Sequence, residues 1–457
     1  MAEHYTTELA IAQMPHESPT MRSVMRVAMI SFHTSPLATL GGKDTGGMNV
    51  YVREIARELG RRNIHVDIFT RSNSPQNLRI DPRLGQNVRV IHVPAGPEAP
   101  VSKNDLFQYV PAFTEWMCRF AEEIGDWRLV IDNAQSPISN LQSQVSSPYS
   151  IIHANYWLSG LVAENLRKCW GTPFVLTYHT LAELKNQIAE REQDRESDLR
   201  LKHECNLSNM ADRLTANTTV EKQQLVRFYG APSSRIRIVP PGVDLSRFNP
   251  IEQGYAKSVI GIPRRHRMIL FAGRIERLKG IDTLFRAVAI LKGRRPDWDW
   301  ANICVSVIGG DPSEEGQREN EEMGRLHDLR DALGLQDLIA FLGARDQDAL
   351  HFYFSAAELL VMPSHYESFG MVALEAMACG TPVIASDVGG LTTLVLDGKN
   401  GYRVKVNDAE AMARAIEKLM DNEALRRRMG HRASCYAEDY SWPKVVDKLL
   451  DVYHELV

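Results

Sequence analysis

The sequence predicts two Rossmann-like doubly wound α/β domains that face a central cleft, and three observations carry that expectation. Short apolar runs alternate with amphipathic helical stretches, the alternation restarts after a break rich in proline, and 457 residues are more than a single core organises. The first series opens with Val27 to Ser31 and a helix over Asn49 to Leu59, followed by Val66 to Thr70 and Val88 to Ile91. It continues through Ile151-Ile152, Phe174 to Thr177, Arg213 to Thr215 and Ile236 to Val239. Strands linked by helices in this order form a parallel sheet covered on both faces. Pro240-Pro241-Gly242-Val243-Asp244 and Asn249-Pro250 then interrupt regular structure. A second series starts at Met268, with later strands expected over Ile303 to Ile308, Ile339 to Leu342, Leu359 to Met362 and Pro382 to Ala385. The expected divisions are a disordered extension over 1–22, a first domain over 23–249, a second over 250–435 and a C-terminal helix over 436–457. In that helix Val445, Leu449, Val452 and Val457 form an apolar stripe.

Composition narrows the function. With Lys+Arg 53 against Asp+Glu 57 the net charge is −4, so no global basic field argues for nucleic acid as a partner. Six cysteines, at 118, 169, 205, 304, 379 and 435, form no Cys-x-x-Cys pair and no spacing suited to zinc, which predicts reduced thiols, no metal site and a cytoplasmic location. No stretch approaches the roughly 18 apolar residues of a membrane span, so no stable membrane anchor is expected. Peripheral membrane contact and a homodimer are left open.

The most informative segment runs from Pro363 to Pro382. Glu367 falls in the loop after an apolar strand, and Glu375 falls about one and a half turns into the helix that begins near Gly370. Both carboxylates can then face one cleft. The amides of Phe369, Gly370 and Met371 at the helix start suit an anionic group, and carboxylates beside them accept hydrogen bonds from hydroxyls. Such a set suits a sugar, a diphosphate and a ribose. Two glutamates at this separation also occur by chance, and Glu375 alone could form a surface ion pair. Earlier in the second series, Leu270 to Gly280 is a strand, then a glycine, then Arg274 and Lys279 five residues apart. Alone, these cations would be solvated surface charges.

Glu-Ser-Phe-Gly before an apolar helix, followed by Gly-Thr-Pro-Val-Ile-Ala-Ser-Asp-Val-Gly-Gly up to Gly390, resembles the donor-site signature of retaining glycosyltransferases of the GT-B fold. The chain departs from it at Thr392-Thr393, where that family often has Pro-Glu. Gly273-Arg274 with Lys279-Gly280 resembles the family's diphosphate-binding motif. The resemblance implies that Arg274 and Lys279 stabilise the departing nucleoside diphosphate without a metal, that Glu367 positions donor hydroxyls and that Glu375 takes the ribose. Gly309-Gly310 is a weaker sign of close nucleotide approach, and Phe341 to Arg345 resembles the segment that reads the base.

In the first series, Gly46-Gly47-Met48-Asn49 leads into a helix, and no Gly-x-Gly-x-x-Gly is present, which argues against a nicotinamide enzyme. This segment resembles the acceptor loop of the inositol-phosphate N-acetylglucosaminyltransferases of mycothiol synthesis and, less closely, that of sucrose-phosphate synthases. Ser102-Lys103, His153 to Gly160, Tyr178 to Leu181, Lys185-Asn186 and Arg200 match the same relatives, with Asn155 where the mycothiol enzymes commonly carry His. The resemblance implies that Lys103, Tyr156, Thr180 and Arg200 hold an acceptor phosphate, that Thr34, Gly47 and Asn49 complete the acceptor side, and that His179 lines the reaction centre. Gly47, Phe369, Gly370 and Met371 are expected to touch the donor. It also implies that the terminal helix crosses back to the first domain.

Taken together, the expectation is a metal-independent retaining hexosyltransferase with no cofactor beyond a UDP-sugar co-substrate. The acceptor is a phosphorylated polyol or sugar, with a sucrose-phosphate synthase as the nearest rival. A GT-B epimerase, a phosphorylase and a non-catalytic nucleotide-sugar sensor are the more distant ones.

Overall fold

The computed structural model describes residues 25–38, 46–132, 147–189, 191–310 and 321–457. The extension expected over 1–22, and Asp311-Pro312 beyond the glycine pair, lie outside the described residues. Two sheets organise the chain. The first has eight strands, β1 (Arg26–Ile30), β2 (His65–Arg71), β3 (Ile80–Asp81), β4 (Val88–Val93), β5 (Ile151–Asn155), β6 (Phe174–Thr177), β7 (Arg213–Ala216) and β8 (Ile236–Ile238), in the order β3-β4-β2-β1-β5-β6-β7-β8. The second has six, β9 (Arg267–Ala272), β10 (Ile303–Ile308), β11 (Ile339–Gly343), β12 (Ala357–Met362), β13 (Val383–Ser386) and β14 (Gly401–Val404), in the order β11-β10-β9-β12-β13-β14.

All pairings are parallel except that of β3, a two-residue edge strand antiparallel to β4. Neither β3 nor β14 is expected from the sequence, because both are short and carry exposed or polar residues among their apolar ones. The first helix spans Gly47–Arg61, about a turn longer than its apolar pattern indicates. Helix boundaries follow capping and hydrogen bonding more than hydrophobicity.

The near-continuous apolar strands are explained by what covers them. Along β1, Val27 and Met29 enter one core with Val66, Ile68 and Ile151, while Ala28 and Ile30 enter another with Phe69, Ile152 and Leu176. Alternate side chains point to opposite faces, and helices cover both. In the second sheet Ile269 and Phe271 face one core, and Met268 and Leu270 the other. The last helix, Trp442–His454, places Trp442, Val445, Val446, Leu449, Val452 and Tyr453 in the core beside β1, against the Gly47–Arg61 helix. Each large apolar side chain so buried contributes roughly 1.5–3 kcal/mol. Val457, counted in the stripe from sequence, lies past the helix end and is 56% exposed. Where the chain passes between the sheets, the Val243 amide donates to the Tyr440 carbonyl at 2.8 Å.

Each sheet has a point where the strand order reverses, between β1 and β5 in the first and between β9 and β12 in the second. The loops leaving the carboxyl ends of strands at such a point diverge and leave a crevice. Here those loops begin at Ser31, Tyr156, Gly273 and Pro363.

Candidate active site between the two sheets

The four loops line one cavity of about 420 Å³. One wall carries His33, Gly47, Asn49, Tyr51, Lys103, Tyr156, His179, Thr180 and Lys185, and the facing wall Arg274, Lys279, Gln347, Tyr366, Glu367, Phe369, Gly370, Met371 and Glu375. Of the residues singled out from the sequence, Thr34 and Arg200 stand behind the wall. Thr34 is buried and accepts a 2.7 Å hydrogen bond from Asn49 Nδ2, which orients Asn49. Asn49 Oδ1 in turn accepts from the Gly46 amide at 2.9 Å and closes the start of the first helix.

Arg200 is 1% exposed, with Nε donating to Glu204 Oε1 at 2.7 Å and Nη1 2.7 Å from Glu196 Oε1. Its Nη2 donates to the Thr180 carbonyl and hydroxyl at 2.9 and 3.2 Å. Burial opposes this charge, but Glu204, Tyr156 and Glu196 outweigh it and hold the guanidinium protonated. Arg200 also lies 4.8 Å from the centre of the Tyr156 ring, with Lys103 4.4 Å from the same ring. The Tyr156 ring is thus close to two cations, and the residue lines the cavity while its hydroxyl is buried.

Tyr156 and His179 follow adjacent strands, β5 and β6, and both have left-handed backbones, with φ of 79° and 63°. Side chains with a Cβ rarely adopt this region, and such positions cluster at ligand sites. The Tyr156 amide donates to the Thr177 carbonyl at 2.8 Å, which pins the turn. His179 Nε2 lies 2.9 Å from Asn155 Oδ1, whose own amide nitrogen donates to the Ile30 carbonyl at 3.4 Å. That arrangement assigns the proton to Nε2 and leaves Nδ1 as an acceptor. Burial, aided by His153, lowers the His179 pKa to about 3, so the ring is a neutral hydrogen-bonding group.

On the facing wall the two cations are paired. Lys279 Nζ lies 2.6 Å from Glu367 Oε2, and Arg274 Nη1 lies 2.8 Å from Glu276 Oε1. Glu375 sits in the helix Met371–Ala378, buried, and burial raises its pKa to about 7 against the smaller opposing effects of Gln347, Arg247 and Arg53. A carboxyl so placed gains from ligand hydroxyls that replace lost water. Two glycines set the spacing. The backbone at Gly309 has φ of 141° and an added Cβ would lie 1.8 Å from the Gly273 carbonyl oxygen, so β10 can approach the Arg274 loop only with glycine there. At Gly389, φ is 45° and a Cβ would lie 1.9 Å from the Glu367 carbonyl oxygen, which also accepts from the Gly390 amide at 3.0 Å.

Tyr51, Tyr366 and Gln347 are cavity residues that sequence reasoning missed. Tyr51 reads as one more apolar position of the first helix, and Gln347 as part of an unremarkable polar helix start. Tyr366 reaches from the second half to the first, where its hydroxyl oxygen lies 3.5 Å from the Leu181 amide. None carried a charge or a glycine pattern to mark it.

Comparison with known proteins agrees with the geometry. Residues 45–247 match the family described as Glycosyltransferase Family 4, and residues 255–434 match Glycosyl transferases group 1. The D-inositol 3-phosphate glycosyltransferase of Streptomyces avermitilis is 40% identical over 440 residues, covering 96% of this chain and 89% of its own. That of Corynebacterium jeikeium is 40% identical over 436 residues, covering 94% and 97%. Among solved structures, a sucrose-phosphate synthase from Thermosynechococcus elongatus superposes with a TM-score of 0.80 at 31% identity over 94% of this chain and 99% of that one. An Anabaena protein solved in complex with UDP and glucose, at 18% identity and a TM-score of 0.69 over 94% and 100%, shares the fold. Matched along both halves, and 40% identical over nearly its whole length to named glycosyltransferases, the chain belongs to the group 1 glycosyltransferases of two-domain GT-B architecture.

Proposed function

We propose that this chain is a retaining, metal-independent glycosyltransferase that moves a glucosyl-type unit from a UDP-sugar to a phosphorylated polyol or sugar. The observation that carries the reading is the opposition of two sets across one cavity. Arg274, Lys279, Glu367, Glu375 and the helix start at Met371 face Lys103, Tyr156, His179, Thr180 and Lys185. The first set suits a nucleotide sugar: cations and helix amides for the diphosphate, Glu367 for sugar hydroxyls, buried Glu375 for the ribose diol. The second suits a phosphate with hydroxyls beside it, since ammonium groups supply charge while Tyr156 and Thr180 supply direction. The names of the relatives, which act on D-inositol 3-phosphate, support a phosphorylated polyol as acceptor.

In this mechanism the acceptor hydroxyl approaches the anomeric carbon from the face on which the diphosphate leaves. The bond from that carbon to the diphosphate oxygen breaks as the bond to the acceptor oxygen forms, and the acceptor proton passes to the departing phosphate oxygen. Arg274 and Lys279 stabilise the charge gained by the leaving group. A neutral His179 accepts a hydrogen bond from a sugar hydroxyl at Nδ1 and takes no covalent part.

A second acceptor, fructose 6-phosphate, is favoured by the 31% identity to the sucrose-phosphate synthase. A screen of UDP-glucose and UDP-N-acetylglucosamine against inositol phosphate, fructose 6-phosphate and their unphosphorylated forms decides between them. Transfer to plain and phosphorylated acceptors at equal kcat/KM overturns the phosphate reading, and inversion at the anomeric carbon overturns the front-face route.

A further inference from the structure

A chain of polar contacts crosses the cleft at its edge. Arg53, on the Gly47–Arg61 helix, donates from Nη2 to Gln347 Oε1 at 2.6 Å, and Gln347 Nε2 lies 3.4 Å from Glu375 Oε1. The order of groups leaves the amide one orientation. A guanidinium only donates and an ionised carboxylate only accepts, so the Gln347 oxygen must face Arg53 and its nitrogen Glu375. A positive and a negative group at the two ends polarise the amide in the same sense and strengthen both contacts. Arg53 is held for this by Glu54, whose Oε1 accepts from Arg53 Nε at 2.9 Å. The helices that carry Arg53 and Glu375 also approach each other directly, where an added Cβ on Gly47 would lie 3.0 Å from Met371 Sδ. Arg247, paired with Asp348 at 3.2 Å, is the other cation acting on Glu375.

We infer that Gln347 is a positioning residue that couples the seating of the donor's ribose on Glu375 to the approach of the first domain through Arg53. The inference rests on the assignment of the ribose to Glu375 proposed above. Ribose hydroxyls bound to Glu375 favour its ionised form, an ionised Glu375 holds the Gln347 amide more strongly, and the amide oxygen holds Arg53. Each event makes the other more favourable, as reciprocal coupling requires. The closed arrangement is then selected by a filled donor site, and the acceptor wall meets a donor already seated.

Calorimetric titration with UDP and with 2′-deoxy-UDP tests this in the full-length protein and in Gln347→Met, Arg53→Met, the double variant and Glu375→Gln. The wild type is expected to prefer UDP over the deoxy nucleotide. Either methionine variant should weaken UDP binding about five- to tenfold and shrink that preference, and the double variant should lose no more than either single one. Equal weakening of both nucleotides, or losses that multiply in the double variant, overturns the coupling and leaves Arg53 and Gln347 as independent structural residues. Glu375→Gln separates the two readings. If it leaves the UDP preference intact, the ribose assignment fails and the coupling falls with it. If it abolishes the preference while Gln347→Met and Arg53→Met keep it, only the coupling fails.

Discussion

Lys279 Nζ and Glu367 Oε2 lie 2.6 Å apart and join the loops that leave β9 and β12, the two strands that flank the reversal of the second sheet. The pair orients Glu367 and keeps a cation next to it. Lys279→Ala removes the cation and leaves a carboxylate unpaired in the cavity. Turnover is expected to fall about a hundred- to thousandfold, the range for loss of one electrostatic stabiliser. Activity should also survive EDTA if Arg274 and Lys279 supply the positive charge, as proposed. Steady-state rates with and without chelator check both, and a loss restored only by a divalent ion would show that the cations do not suffice.

Gly389→Ala should displace the Glu367 loop, because its Cβ would fall 1.9 Å from the Glu367 carbonyl oxygen on a backbone with φ of 45°. A drop in kcat with UDP affinity nearly unchanged is expected, since Glu367 is assigned to the sugar and the nucleotide contacts lie on other residues. Parallel losses in kcat and UDP affinity would assign the glycine to the whole donor site.

Glu375 makes stability depend on pH in an unusual direction. Its pKa rises from 4.5 to about 7 on burial, so between those values the folded protein holds a proton that the unfolded chain has lost. Stability attributable to this group is full below pH 4.5, falls as pH rises toward 7 and stays reduced above it. Glu375→Gln is therefore expected to raise the thermal midpoint at pH 8, to leave it nearly unchanged at pH 5, and to weaken donor binding. Scanning calorimetry at the two pH values measures this, and a midpoint lowered at pH 8 would contradict it.

Arg200 and Lys103 should separate folding from acceptor recognition. Arg200 is ion-paired with two glutamates in the interior, and removing one partner of such a group costs about 3–5 kcal/mol. Arg200→Met is expected to lower the denaturant midpoint sharply. Lys103→Met, at the cavity wall, should leave the unfolding free energy within about 1 kcal/mol of the wild type and selectively reduce kcat/KM for phosphorylated acceptors. Equal losses on plain and phosphorylated acceptors would remove Lys103 from the phosphate site.

The fold was legible because doubly covered strands are written as apolar runs, and Val27 to Ile30 needs no partner to be recognised as one. The candidate site was legible where chemistry is concentrated in short segments, as from Glu367 to Glu375. It was illegible where function depends on which residues meet across the cleft. Gln347 meets Arg53, 294 positions away, only in the folded chain. The left-handed backbones of Tyr156 and His179 were equally hidden, since no glycine marks them. Nor does sequence show that Arg200, a cation in a conspicuous segment, turns its guanidinium to Glu196 and Glu204.

The bond from the Val243 amide to the Tyr440 carbonyl ties together the two places where the chain passes from one half to the other. One tether would let the halves swivel about it. Two laid side by side, with Trp442 packed under Gly242, resist twisting and permit bending, as a door on two hinge pins does. The relative motion expected of the halves is then opening and shutting along one path. Such a path would bring the cavity walls that carry His179 and Glu367 back to the same register at each closure, as the alignment of three reacting atoms by a transferase requires.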